Sequence, residues 1–275
     1  MTNEEYSNLY AKQHARYERR AYPIFLKALH EQITPTLKWI TENQSVEVPL
    51  DALVVPAIWR TPMVEVYEMI GMLAAKREYF FMRDAEKGVL DFLVAKWREI
   101  FYFYSINYAY RIENELSETT KEEIRRALTT AYELNLNTDQ TAALIRKQVY
   151  NQISRSRAVM IARTETTTAA SLGKETGAKS WLSEQNQQGY KQWIGREDSR
   201  ERGRETDTMH GHLNDQIIPI DEKFTFTDAK GITSYGTMPG DVNLPANQRI
   251  NCRCSLIYMS QRRYERIIAG RNTTV

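Results

Sequence analysis

The stretch TDQTAALIRKQVYNQISRSRAVMIARTETTTAASLGKETGA, residues 138–178, decides how the chain is organised. Apolar residues recur along it at helical spacing and line one face: Leu144, Ile145, Val149 and Ile153. Thr138 is the predicted N-cap of this helix, because its hydroxyl can accept a hydrogen bond from the first turn. The helical pattern fades at Gly173 and Gly177. The sequence therefore predicts one long helix near the middle of the chain.

Upstream of that helix, the sequence predicts a mostly helical region. Helical spacing extends over about residues 3–44 and 62–113, and the two prolines inside the first range are expected to break or kink it. A further helix is predicted to start at Thr119, which forms a capping-box pattern with Glu122. The aromatic run IFYFYSINYAY, residues 100–110, fits either a buried core or an interface.

Downstream, the composition changes near residue 183, where Gly, Pro, Asn and Asp become frequent. KQWIG, IIPIDEKFTFT and CRCSLIYM are predicted to contain strands, separated by turn-rich segments. The predicted fold class is α+β, with a long, mostly α-helical N-terminal part followed by a small C-terminal α+β domain. The predicted division has a helical N-terminal region, a helical segment carrying RAVMIARTE, the small α+β domain and a basic tail: residues 1–115, 116–183, 184–262 and 263–275.

The charge balance narrows the classes of partner. The chain has 37 basic and 35 acidic residues and a formal net charge of +2, so no global excess of charge favours nucleic acid or an anionic membrane. Its sequence has no apolar run near the roughly 20 residues that a membrane-spanning helix needs, and no signal-peptide pattern. We therefore expect a protein of the reducing cytoplasm, without membrane contact and without a disulfide framework.

Four side chains of the C-terminal part are candidate ligands for a soft metal. RINCRCSLIY, residues 249–258, holds the only two cysteines, Cys252 and Cys254, and TMHGHLNDQ holds His210 and His212. On neighbouring strands, the residues of each pair would point to the same face and meet, as a tetrahedral zinc ion requires. The alternative is that both cysteines are buried core residues, since free cysteine is commonly buried.

Other polar residues allow further interpretations. Cys252 could act as a nucleophile with His210 as its base, although no glycine-rich turn nearby offers an oxyanion hole. The run GREDSRERGRETD, residues 195–207, fits a solvated loop or an anion-binding segment. Arginines at positions 155, 157 and 163 of the long helix are expected to pair with nearby acids such as Glu165.

Two turn signals complete the pattern. Pro239 fixes φ and Gly240 accepts a positive φ, so the pair predicts a tight turn. Asn251, directly before the first cysteine, is a small polar residue that can hold a turn by bonding to the backbone.

Taken in order, these motifs resemble the phage head morphogenesis family, also called Mu F-like minor capsid proteins. The resemblance covers about residues 118–260, from an RA…IARTE helix to a terminal NCRC string. Asp215 stands where the family usually has Gly, and Asp tolerates the left-handed conformation better than most residues. The residues that match the family motifs are Arg157, Ala158, Ile161, Ala162, Arg163, Thr164, Glu165, Trp193, His210, Leu213, Asn214, Pro239, Gly240, Asn251, Cys252, Arg253 and Cys254.

The resemblance implies a minor capsid protein of a tailed phage or prophage that works by binding rather than catalysis. It would be made in the host cytoplasm and lie inside the head, bound at the portal, where it would aid head assembly, DNA packaging or DNA delivery. Its implied partners are the portal protein, the major capsid or scaffolding protein, and packaged DNA, touched by basic clusters at 196–204 and 262–271. The alternative is a toxin-like enzyme or nuclease whose catalytic part lies within residues 1–115. The resemblance also favours His210 over His212 as the neighbour of the thiols.

Overall fold

Long helices form most of the structure, a computed structural model that describes residues 3–83, 91–195 and 210–272. A small sheet region follows them, and the predicted α+β class is confirmed. The helices up to the sheet region are α1 (Asn3–Asn43), α2 (Leu50–Leu53), α3 (Arg60–Arg83), α4 (Asp91–Glu133), α5 (Thr138–Ile145) and α6 (Ser154–Glu184). A 3₁₀ turn at Pro56–Trp59 precedes α3, and a π-helical segment at Arg146–Ile153 joins α5 to α6.

The strands of the described residues form two antiparallel sheets. They are β1 (Gly189–Ile194), β2 (Ile217–Pro219), β3 (Phe224–Thr227), β4 (Thr233–Gly236) and β5 (Ser255–Ser260). One sheet has the order β2-β1-β5, with Trp193 opposite Leu256, and the other is the β3-β4 pair. A 3₁₀ turn at Gly211–Leu213 precedes β2, the short helix α7 (Ala246–Arg249) lies between β4 and β5, and α8 (Gln261–Asn272) follows β5.

The chain divides into two compact units that interleave in sequence. Unit 1 comprises residues 1–17, 67–101 and 163–275, and unit 2 comprises residues 18–66 and 102–162. The boundaries between these units fall inside α1, α3, α4 and α6. The four-part division predicted from composition stays a prediction, and its first boundary, at residue 115, lies inside α4.

The core of unit 2 is built from apolar side chains of α1, α2 and the residue after it, α4, α5 and the π segment. Burial is complete or nearly so for this set, which comprises Ile33, Leu37, Ile40, Leu50, Val54, Ile124, Ala127, Ala142, Ile145 and Val149. In the same unit, the buried Gln32 donates a hydrogen bond to Ser117 Oγ over 2.7 Å and accepts one from Thr120 Oγ1 over 2.8 Å. Because these polar groups satisfy one another, they can be buried beside the apolar core at little cost.

Unit 1 contains a close approach between helices α3 and α6. A Cβ added to Gly173 would lie 2.3 Å from the carbonyl oxygen of Gly71, and one added to Gly177 would lie 2.2 Å from that of Ala75. Only glycine leaves room for the opposing backbone at these two positions. The expectation that the helix fades at these glycines is wrong, because α6 continues to Glu184 and uses them for packing.

A core of unit 1 lies on one face of the three-stranded sheet. Ile194 of β1 and Ile257 and Met259 of β5 are buried there against Tyr6 of α1. Tyr190 stacks on Tyr264 of α8, partly buried beside them, with ring centroids 3.9 Å apart. The opposite face of the sheet therefore carries the alternate residues, among them Trp193.

Three local predictions about helix ends are corrected. Of the break or kink predicted at the prolines of the first helix, the break is wrong, since α1 runs through both of them. Thr119 is not an N-cap but lies inside α4, where its hydroxyl donates to the carbonyl of Glu115. The cap of α5 is Asn137 rather than Thr138, because Asn137 and Gln140 exchange the two hydrogen bonds of a capping box.

The physical reason is that burial outweighs local signals. Phe25, Leu29 and Ile33 of α1 are fully buried, and each buried side chain of this size contributes about 1.5–3 kcal/mol, comparable with the roughly 3 kcal/mol that a proline costs inside a helix. Inside a helix, a Thr hydroxyl can also bond to the carbonyl four residues back, so the capping-box pattern is not unique to a helix start.

Candidate functional site

Threonines of the ARTETTT string hold the loop that leads to the cysteines. The backbone N–H of Asn251 donates to Thr164 Oγ1 over 3.1 Å, and Thr167 Oγ1 donates to the carbonyl of Cys252 over 2.9 Å. Both threonines are buried in α6. Asn251 has a φ of 59°, which Asn tolerates better than most residues. The helix string and the NCRC string are therefore two halves of one contact within unit 1.

The Pro-Gly turn is the third part of the same contact. Gly240 has a φ of 77°, as its place in the turn predicted. Thr168 Oγ1 donates to its carbonyl oxygen over 2.8 Å, and a Cβ at position 240 would lie 2.6 Å from that hydroxyl. Pro239 is buried beside it. Glycine is thus required here both by the conformation and by the closeness of α6.

Glu165 lies between Thr164 and Thr168 on α6 and is buried. It accepts a hydrogen bond from Tyr67 Oη over 2.9 Å, and Arg249 Nη1 lies 3.6 Å from its other oxygen. Arg249 belongs to α7, which directly precedes the NCRC string. The carboxylate therefore joins α3, α6 and α7 within unit 1.

Arg157 lies in unit 2, and the acid whose charge acts on it is Glu123 rather than Glu165. It donates to Thr120 Oγ1 over 2.9 Å and to the carbonyl of Leu116 over 3.0 Å, so its hydrogen bonds go to α4 rather than to Glu165. Burial lowers the pKa of Arg157 to about 10. Arg163, six residues later on α6, is partly buried.

An aromatic enclosure surrounds His210 on the face of the three-stranded sheet that carries Trp193. Trp193 of β1 lies with its ring centroid 5.6 Å from that of His210, and Phe226 of β3 lies 5.5 Å away. Phe224 closes the enclosure, 5.1 Å from Trp193. All four side chains are at most 2% exposed, so the imidazole is isolated from bulk water.

The two thiols meet His210 inside this enclosure. His210 Nδ1 lies 3.4 Å from Cys254 Sγ and 3.6 Å from Cys252 Sγ, and neither cysteine forms a disulfide. The hydrogen bond from Cys254, assisted by the charge of His210, lowers the pKa of Cys252 well below its usual value although burial raises it. Among the described residues, these three are the group of ligand side chains close enough together to share a metal ion. Arg253, between the cysteines, is partly buried.

The structure corrects how this cluster arises. The cysteines are not on a strand, since β5 starts at Ser255, and His210 lies in a turn rather than on a strand. His212 does not join them, because its Nε2 is bonded to the carbonyl of Thr225 at 2.9 Å. The predicted four-ligand set is thus reduced to three, with His210 as the histidine that the thiols contact.

Asn214 and Asp215 shape the loop that carries His210. Asn214 Oδ1 accepts from the backbone N–H of Gly195 over 2.8 Å, and Asp215 Oδ1 accepts from Gln192 over 2.9 Å. Asp215 has a φ of 63°, the conformation that a glycine would also allow. Both residues therefore tie this loop to the end of β1 or the residue after it.

A buried lysine in unit 1 was missed by the sequence analysis. Lys174 of α6 donates to Tyr6 Oη, to the carbonyl of Leu256 and, over 3.0 Å, to Ser255 Oγ, while a carboxylate oxygen of Glu78 lies 3.9 Å away. Burial lowers the pKa of Lys174 to about 8. No local signal identifies these partners, since up to 168 residues separate them in sequence.

Part of the chain matches a known protein family. Residues 122–257 match the family model described as Phage Mu protein F like protein. This part of the chain belongs to the Mu F-like family. The match ends inside β5 and contains the threonine string, the Pro-Gly turn and the cysteines of this Mu F-like protein. Family membership indicates a phage head morphogenesis protein associated with the virion. No curated protein and no solved structure matches the chain.

Over the described ranges, none of the helices is both long and apolar enough to cross a bilayer.

Proposed function

We propose that this Mu F-like protein is a minor capsid protein that binds the portal inside the procapsid and aids head assembly, DNA packaging or DNA delivery. The major capsid or scaffolding protein would be a second contact during assembly in the host cytoplasm. The family match over residues 122–257 supports a head morphogenesis role. Portal binding and the individual steps are the proposal.

The burial of the family-motif residues is the observation that carries a binding function. Thr164, Glu165, His210, Cys252 and Cys254 are each at most 4% exposed. Thr164 holds the backbone of Asn251, and His210 contacts the two thiols, so a substrate in solution has no direct access to these buried groups. Residues in such positions stabilise a fold, and the surface is left to recognise partners.

The aromatic run on α4 supplies a candidate portal contact. Phe101 and Tyr108 are buried, whereas Phe103 and Tyr110 are 54% and 52% exposed. The two exposed rings are two helical turns apart and thus share one face. The Arg60 guanidinium lies 4.2 Å from the Tyr110 ring centroid, which fixes that ring in place. Exposed, preorganised aromatic rings are typical anchors of protein interfaces.

Copurification with the portal protein of the same phage tests the proposal. The double variant Phe103→Ser/Tyr110→Ser should weaken portal binding by at least about tenfold, the effect of losing interface anchors. Tyr132→Ser/Leu134→Ser is the matched control, because these two side chains are 85% and 61% exposed in the same unit but lie beyond the aromatic run. Deletion of residues 1–115 is unsuitable, since Tyr6 donates a hydrogen bond to the carbonyl of Leu256 and is part of the core of unit 1.

Two outcomes would contradict the proposal. Wild-type protein that binds no portal at any salt concentration would remove portal binding, and hydrolysis of nucleic acid by the same sample would favour the enzyme interpretation. Equal binding by both double variants and the wild type would move the contact away from the aromatic run.

Contact with packaged DNA is a separate part of the proposal. Arg262 and Arg266 of α8 are exposed, whereas the predicted cluster at 196–204 lies outside the described residues. Phosphate contacts release counterions, so DNA binding should weaken steeply with salt, and Arg262→Gln/Arg266→Gln should reduce that slope by about 2. Binding that is unchanged between low and high salt would exclude this contact.

A further inference from the structure

The enclosure around His210 brings together two thiols and an imidazole with their ligand atoms close to one another. The ligand atoms of His210, Cys252 and Cys254 all lie within 4.8 Å of one another, and the side chains are 2–3% exposed. Thiolate and imidazole are the preferred ligands of zinc. We propose that His210, Cys252 and Cys254 bind one zinc ion that ties the loop before β5 to the turn before β2.

The separations of the ligand atoms match a zinc coordination sphere. With Zn–S and Zn–N bonds of about 2.3 and 2.0–2.1 Å, tetrahedral geometry places nitrogen and sulfur about 3.6 Å apart. His210 Nδ1 lies 3.4 and 3.6 Å from the two sulfurs. Both nitrogen–sulfur separations are therefore close to those of a tetrahedral zinc site, and the two sulfurs lie within 4.8 Å of each other.

A divalent metal would also keep the site neutral in surroundings that solvate charge poorly. Trp193 and Phe226 line the enclosure, so the two thiolates that a metal needs as ligands are tolerated there only together with that metal. One zinc ion neutralises two thiolates, so the complete complex carries no net charge. The apolar enclosure then excludes competing water and strengthens the bonds to the metal.

The histidine of the proposed site is His210 and not His212. His212, although two residues from His210, is bonded to the Thr225 carbonyl. The described residues thus provide three of the four ligands of a tetrahedral site. This inference does not depend on portal binding, and each can fail without the other.

The metal would cross-link segments of unit 1 that are distant in sequence. Cys252 is also held by Thr167 of α6 through its carbonyl oxygen. A metal on its sulfur would therefore link α6, the NCRC loop and the His210 turn in one network. Because the unfolded chain lacks a preformed site, metal binding would add to folding stability.

Metal analysis of the purified full chain tests the proposal directly. Protein from zinc-supplemented cells should contain one zinc per chain, and cobalt exchanged into it should give the intense visible bands of a tetrahedral site together with sulfur-to-cobalt charge transfer. Removing zinc with a chelator should lower the melting temperature by roughly 5–10 °C, and added zinc should restore it.

Two variants identify the ligands. Cys254→Ser should lower zinc affinity by at least about 100-fold, more than the loss of an outer-shell partner costs. His212→Ala is the matched control and should keep stoichiometric zinc. Should Cys254→Ser fail to fold, the cobalt spectrum of the wild type still decides. The proposal would be overturned if wild-type protein contained no zinc and its melting temperature changed with neither chelator nor added zinc. The two thiols would then be core residues only.

Discussion

Thr168 donates a hydrogen bond over 2.8 Å to the carbonyl oxygen of Gly240, a residue whose absent Cβ would lie 2.6 Å from the same hydroxyl. This contact joins the threonine string of α6 to the Pro-Gly turn. Two motifs separated by 72 residues thus act as one structural element.

Gly240→Ala tests that contact. Alanine would have to adopt a φ of 77° and would push against Thr168, so the free energy of unfolding should fall by about 3 kcal/mol or more. Gly231→Ala is the matched control, because Gly231 has a φ of 78° with no atom within 4 Å of the added Cβ. It should cost only the conformational part, about 1–2 kcal/mol. Denaturant unfolding measures both, and equal losses would mean that the α6 contact contributes nothing.

The close approach of α3 and α6 gives a second prediction. Gly177→Ala would place a Cβ 2.2 Å from the Ala75 carbonyl oxygen, so we expect a loss of about 3 kcal/mol through forced separation of the helices. Gly270→Ala on α8 meets no atom within 4 Å and should instead stabilise by up to about 1 kcal/mol through helix propensity. Thermal unfolding of the two variants compares them. A harmless Gly177→Ala would show that these helices can separate freely.

His14 predicts a loss of stability in acid. Burial between Tyr10 and Tyr17, together with the charge of Lys174, lowers the pKa of His14 to about 3. Between pH 6.5 and 3 the unfolded chain binds a proton that the folded chain does not, so stability falls as the pH is lowered through this window. From pH 7 to 4 the loss is on the order of 3 kcal/mol.

His14→Phe keeps the ring and removes the titration. The variant should match the wild type near pH 8 and exceed its stability at pH 4, because phenylalanine takes up no proton on unfolding. Urea unfolding at both pH values measures the difference. If wild type and variant lose stability in parallel, His14 is not buried in its neutral form.

The burial of Lys191 predicts a pH dependence of stability in the alkaline range. Burial lowers its pKa to about 8, and its Nζ donates to the Thr237 carbonyl over 2.9 Å. Between pH 8 and 10.5 the unfolded chain keeps a proton that the folded chain has released, so this lysine makes stability rise with pH. The free energy of unfolding of Lys191→Met should therefore fall relative to that of the wild type across that window, by on the order of 2 kcal/mol. A constant difference between the two proteins from pH 7 to 10 would contradict the lowered pKa.

The sequence predicted which residues form the site better than it predicted the secondary structure that carries them. The Pro-Gly turn and the neighbourhood of His210 and the two cysteines were both expected. Their elements were not, since both cysteines and His210 lie in loops and turns. A period-two pattern indicates a strand, but it cannot say at which residue pairing with β1 begins.

Local sequence by itself determined the long helices, the α+β class and the order of the family motifs, because helical spacing, turn residues and motif strings are read from neighbours along the chain. Only the tertiary structure decided that the glycines of α6 pack rather than terminate, that Lys174 is buried among Tyr6, Ser255 and Leu256, and that His210 rather than His212 reaches the thiols. The physical reason is the same in each case: these outcomes depend on free energies of burial and hydrogen bonding between segments that are distant in sequence.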